Sequence, residues 1–156
     1  MNQTYYIGLD IHKKTIVYCI KLQDGTVIDR GTISATRSAL GRWVASVPEP
    51  WVGAMEATLF SGWIYDFLKP HAVALKVAQS KKKNDRVDAQ KIADLLRCDL
   101  LPECYMMPED LRELRRILRY RNHIVREAVR MQNKMSGLLM ECGALGKHHK
   151  LVSIHK

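Results

Sequence analysis

"QTYYIGLDIHKKTIVYCIKLQDGTVIDRGTI", residues 3–33, contains three candidate strands and one turn. Residues 3–9 read as a strand ending at Asp10. Residues 15–22, "TIVYCIKL", are rich in β-branched and aromatic types and read as a second strand. "QDGT" at 23–26 is a hairpin signal, because Asp-Gly supplies the positive φ of a type I′ turn. Residues 27–33 then read as a third strand, antiparallel to the second.

The next segments change character. A helix fits 36–46, with Thr36 or Ser38 as N-cap. "WVGAMEA" at 51–57 is a short buried strand, 60–69 a helix, and "AVALKVA" at 72–78 another short buried strand. A helix is expected from about Asp85 to Arg97. Three strands in succession, then two strand units separated by helices, predict an α/β fold. Its five-stranded sheet is mixed, antiparallel first and parallel later, with flanking helices.

Pro102 and Pro108 bracket "PECYMMP", which reads as a linker. Residues 109–142 then keep helical periodicity. Leu111, Leu114, Leu118, Val125, Ala128, Met135 and Leu139 fall on one side. Arg112, Arg116, Arg119, His123, Arg126, Arg130 and Lys134 fall opposite, in a basic stripe that reads either as a solvated face or as a nucleic-acid surface. Such a helix is about 50 Å long, too long for a small sheet to cover, and is expected to pair with another helix. Gly143 and Gly146 are candidate stops. The tail at 143–156 reads as basic and flexible.

The 156 residues suit one compact domain with an extension, and 47% apolar residues suffice for a core. The net charge of +9 points to nucleic acid or an anionic surface as partner. No apolar run approaches the roughly 18 residues of a membrane span, and no signal peptide is visible. Cys19, Cys98, Cys104 and Cys142 form no C-x-x-C pair, which argues for reduced thiols in a cytoplasm. Cys142 with His148, His149 and His155 fits no standard zinc spacing. Trp43, Trp51 and Trp63 read as core or rim packing.

Four acids stand at element ends: Asp10 after the first strand, Glu56 after the fourth, and Asp85 and Asp88 where the later helix begins. If strands one and four are parallel neighbours, Asp10 and Glu56 sit side by side at the edge where sites form in open sheets. Three residues turn a helix by 300°, so Asp85 and Asp88 would share a face. Gathered carboxylates repel unless a cation intervenes, and oxygen ligands suit Mg²⁺ or Mn²⁺. A pair of such ions can activate a nucleophile and stabilise the leaving oxygen of a phosphodiester. Lys81, Lys82 and Lys83 would then help hold the nucleic acid, and His12 and Lys13 lie beside Asp10 as further phosphate contacts or as a plain hairpin turn. The plainer reading is a strand-end turn at Asp10, a helix cap at Asp85 and a favourable charge at Asp88.

"GLDIHKKTIVYCI", "EAT", "KKKNDRVDAQKIADLLRCDLLPECYMMP" and "LRELRRILRYRNHIVREAVRMQNKMSGLLMECG", in this order, resemble one family. It is the DEDD transposases of bacterial insertion sequences, the insertion-sequence one-ten group, which includes the pilin-gene invertases. The resemblance runs from about residue 5 to 145. It implies an RNase H-like, RuvC-like domain over 1–101, with Asp10, Glu56, Asp85 and Asp88 as an acidic tetrad that binds Mg²⁺ or Mn²⁺. It implies a coiled-coil region over 109–142 that forms a homodimer or higher homo-oligomer. The implied partners are DNA and, in some members, a structured guide RNA, with no membrane and with action at the nucleoid.

The family usually reads K-T-D where this chain has Lys83-Asn84-Asp85. Family proteins continue into a second domain carrying a serine proposed as nucleophile. Neither Ser136 nor Ser153 matches it, so complete recombination by this chain alone is not expected. The competing class is a nucleic-acid-binding and dimerisation module without turnover. An actin-like sugar kinase, suggested by "IGLDIHKKT", would need a longer two-lobed chain with glycine-rich phosphate loops.

Overall fold

The computed structural model describes residues 3–79 and 88–144. Lys81, Lys82, Lys83 and Asp85 therefore lie outside the described residues, as does the tail from residue 145 onward. The chain divides into two compact units, 1–106 and 107–156.

In the first unit, β1 (Tyr5–Ile11), β2 (Thr15–Lys21) and β3 (Val27–Ser34) form the antiparallel meander, followed by α1 (Arg37–Val44), β4 (Trp51–Glu56), α2 (Ser61–Leu68), β5 (Ala74–Ala78) and α3 (Ala89–Arg97). The sheet order is β3-β2-β1-β4-β5, with β1–β4 and β4–β5 parallel. This is the mixed five-stranded α/β sheet that the sequence predicts, and it is consistent with an RNase H-like fold. A single turn of 3-10 helix, Lys69–His71, extends α2.

Alternation along the strands sorts side chains between two faces. One face carries Ile7, Leu9, Trp51 and Met55, which join Leu40 and Trp43 of α1 and Ile64 and Leu68 of α2 in the main core. The other face carries Tyr6, Val52 and Ala54, covered by Ile92 and Leu96 of α3. Trp43 and Trp51 are core residues, while Trp63 is half-buried with the Arg37 guanidinium over its ring.

Several local expectations are corrected. Asp10 lies inside β1, because pairing with β2 runs on to Ile11↔Ile16. The 23–26 turn is not type I′. Gly25 has φ +93°, but Asp24 does not share its positive φ. The Asp24 carboxylate instead accepts the Thr26 N–H at 2.8 Å, and the loop closes through Leu22 N–H to Thr26 O. Of the two candidate caps, Thr36 accepts the Ala39 N–H. The linker also begins later than Pro102. Pro102 O accepts the Gln79 N–H, Cys104 N–H reaches Val77 O, and Glu103 bridges Ala78, so this strip pairs with the open edge of β5.

The second unit holds α4 (Glu109–Glu141), 33 residues with none buried. Glu109 and Asp110 complement the positive end of its dipole. Gly143, at φ +67°, ends it as expected. Its N–H reaches Met140 O and the Ala144 N–H reaches Leu139 O, which satisfies two terminal carbonyls.

Candidate active site

The β1–β4 register decides the position of two acids. Gly8 pairs with Ala54 and Leu9 with Met55, in parallel. One residue further, Asp10 and Glu56 come side by side at the C-terminal edge of the two central strands. Residues two apart share a face, so both acids lie on the face of Gly8 and Ala54, the face that α3 covers. The sequence anticipates this juxtaposition. Asp10 also has His12 Nε2 3.2 Å from its Oδ2, from the exposed turn into β2.

The third acid comes to the same face through α3. A Cβ on Gly8 would overlap the Ala89 carbonyl oxygen and lie 2.5 Å from Ala93 N. The first turn of α3 therefore rests directly on the backbone of β1, a closeness only glycine permits. Asp88 precedes that turn. It is not in the helix: its backbone is extended (φ −76°, ψ 166°), and its carboxylate accepts the Lys91 N–H at 2.8 Å as N-cap. Asp88 is thus not on a face of α3, which starts at Ala89, and Asp85 lies outside the described residues. Asp88 caps α3 because a non-helical residue can turn its carboxylate onto the first-turn N–H groups, while the cap expected at Asp85 lies outside the described residues.

Among the described residues, no three His, Cys, Asp or Glu side chains are gathered closely enough to hold a metal ion. Asp10, Glu56 and Asp88 share a face and an edge, and Asp85 is outside the described residues. The donors offered are all carboxylate oxygens, the ligand type that hard divalent cations take.

An ion-pair network nearer the other end of β1, where Tyr6 pairs with Lys21, has little signal in the sequence. Lys21, at the end of β2, is only 3% exposed, and its Nζ lies 2.7 Å from Asp94 Oδ2 on α3. Arg97 Nε lies 2.8 Å from the other Asp94 oxygen. Burial acts to raise the Asp94 carboxyl, but the hydrogen bonds and charges of Lys21 and Arg97 outweigh it and hold the group below the ordinary carboxylate range. The Cys19 thiol is pushed up by burial, against the pull of Lys21, and the charges of Asp94 and Asp88 add to the rise. The only sequence signal was a lysine inside an otherwise apolar strand.

In α4 the basic stripe is exposed apart from a half-buried Arg112, whose guanidinium donates to Met107 O. Two of its arginines are paired within the helix, Arg116 with Glu113 and Arg130 with Glu127.

An α/β sheet of this order, with carboxylates at the edge of its central parallel strands, defines a domain built around an acidic rim. A family model described as a transposase, that of the DEDD transposases of the insertion-sequence one-ten group, matches residues 7–143. The chain belongs to this family of DNA transposases. No curated protein matches it. Among the described residues no helix is long and apolar enough to cross a membrane.

Proposed function

We propose that residues 1–101 are a metal-dependent strand-cleaving and strand-exchanging domain of the transposase, with Asp10, Glu56, Asp85 and Asp88 as its carboxylates. The observation that carries this reading is the register that makes Asp10 and Glu56 neighbours on the face that α3 covers, with Asp88 as the N-cap of that helix. Two or three carboxylates at one edge would repel one another in low dielectric, and a bound Mg²⁺ or Mn²⁺ offsets that repulsion. When bound, the ions would activate an attacking oxygen and stabilise a leaving one. The chain's own part is to hold oxygen donors on three separate segments, two of them on rigid strands. Asp88 would exchange its cap hydrogen bond for a ligand bond as the site closes.

DNA would be held by Lys81, Lys82 and Lys83 next to the acids. Arg112, Arg116, Arg119, Arg126, Arg130 and Lys134 of α4 would contact phosphates and release counterions. A structured guide RNA would present the same phosphate chemistry. The apolar side of α4, exposed along its length, supports self-association into a dimer or larger assembly.

A second reading, a binding and oligomerisation module whose acids do not turn over, is favoured by the cap bond of Asp88 and by the absence of a gathered trio among the described residues. One experiment separates the two. The chain is titrated with Mn²⁺ by calorimetry and incubated with branched and duplex DNA, as wild type and as Asp10→Asn. Saturable Mn²⁺ binding and nicking, both lost in Asp10→Asn, support the first reading. Salt-sensitive DNA binding that ignores Mn²⁺ and the substitution supports the second.

A further inference from the structure

Steps of three and four residues run without a break along one side of α4: Leu111, Leu114, Leu118, Arg121, Val125, Ala128, Gln132, Met135 and Leu139. These are the a and d positions of a heptad repeat. Every one is apolar except Arg121 and Gln132. The apolar side is solvent-exposed, with Leu114, Leu118, Val125 and Met135 each about half accessible. In coiled coils, polar groups at such positions set orientation and register.

We infer that α4 pairs with a second copy of itself in antiparallel orientation, with Arg121 of each chain opposite the partner's Gln132. This deepens the self-association reading above. In a parallel pair each residue faces its own copy, so two Arg121 guanidinium groups would meet in a desolvated seam. Antiparallel pairing sets a positions against d positions. In one register Arg121 faces the partner's Gln132 twice over, and the guanidinium can donate to the amide oxygen. The remaining layers are then all apolar: Leu114 with the partner's Leu139, Leu118 with the partner's Met135, and Val125 with the partner's Ala128. Sliding by one heptad ruins the match. Arg121 would then face Val125 or Leu139, and Gln132 would face Leu114 or Ala128. The sequence is thus self-complementary in one orientation and one register. The antiparallel arrangement also opposes the two helix dipoles favourably. Flanking apolar residues agree, because Ile124 comes near the partner's Met131 and Ile117 near the partner's Leu138, along one side of the seam.

The test uses the full chain in a Cys98→Ser, Cys142→Ser background, both native thiols being exposed. Chains carrying Leu118→Cys and chains carrying Met135→Cys are mixed, refolded together and oxidised with diamide. The expected result is a disulfide between the two kinds of chain and none when either is oxidised alone, since like positions would lie ~25 Å apart along the axis. Cross-linking of Leu118→Cys with itself would overturn the orientation while leaving self-association intact. A monomeric mass for the unmodified chain in sedimentation equilibrium would overturn self-association too, and would assign the seam to another segment or protein. Adding Arg121→Leu and Gln132→Leu should release the orientation, so that Leu118→Cys now cross-links with itself. Failure to do so would deny the polar layer its role. None of these readouts involves the acids, DNA or metal.

Discussion

Lys21 Nζ lies 2.7 Å from Asp94 Oδ2, across the interface between the sheet and α3. The lysine is buried, whereas the Asp94 side chain is 35% exposed and has Arg97 as a second partner. The two ends of this bond are therefore unequal. Asp94→Ala strands a buried ammonium and should cost about 2–3 kcal/mol, below the full cost of breaking a buried pair because water reaches the carboxylate side. Lys21→Met leaves Asp94 with Arg97 and fills the same volume, so it should cost no more than about 1 kcal/mol. Urea unfolding of the two variants checks the order. Equal losses would mean that the lysine head is better hydrated than its surroundings suggest.

The same pair sets an acid limit. The Asp94 carboxyl is depressed in the folded chain, so the unfolded chain takes up its proton first as pH falls. The stabilisation is complete above the ordinary Asp range of about 3.9 and is lost as pH drops through the lower folded value. The urea midpoint of the wild type should fall across that acidic window more steeply than that of Asp94→Asn. Between pH 6 and 8 the Asp94 term should add no slope. A wild-type midpoint that tracks Asp94→Asn through the acidic range would remove Asp94 as a source of acid sensitivity.

Gly8 fixes how closely α3 approaches β1, since a Cβ there would meet the backbone of Ala89 and Ala93 rather than a flexible side chain. Gly8→Ala should lift the first turn of α3 and cost about 1–3 kcal/mol. If the acids form one site, it should also weaken Mn²⁺ binding, because Asp88 moves away from Asp10 and Glu56. Calorimetry at a temperature where the variant remains folded measures this. Unchanged Mn²⁺ affinity in a destabilised Gly8→Ala would dissociate α3 from the site.

The sheet was legible because its cues are local. Alternating β-branched runs mark the strands, and one Asp-Gly pair marks the hairpin. The neighbouring positions of Asp10 and Glu56 followed once strands one and four were taken as parallel partners. What escaped depends on choices between equivalent groups or on distant pairing. Asp88 can cap a helix or sit in its first turn, and sequence does not say which. Asp24 binding Thr26 N–H, not the dipeptide alone, decides the turn type. The strip at Pro102–Cys104 takes up the free edge of β5, a long-range match invisible in a segment that reads as linker. Lys21 and Asp94 stand 73 residues apart, and only the packing of α3 brings them together.

Asp88 carries two roles that can be separated by chemistry. As N-cap its carboxylate accepts the Lys91 N–H, and as a metal ligand it would supply negative oxygen. A serine hydroxyl caps nearly as well as a carboxylate but is a poor ligand for a hard divalent ion. Asp88→Ala should therefore lose about 1 kcal/mol of stability together with the Mn²⁺ response. Asp88→Ser should keep wild-type stability in metal-free urea unfolding and still lose the Mn²⁺-induced rise in melting temperature. If Asp88→Ser responds to Mn²⁺ as fully as the wild type does, Asp88 is a cap alone, and a site would have to be completed by Asp10, Glu56 and Asp85 without it. Running Asp10→Asn in parallel fixes the scale, since it alters no cap and should abolish the Mn²⁺ response on its own.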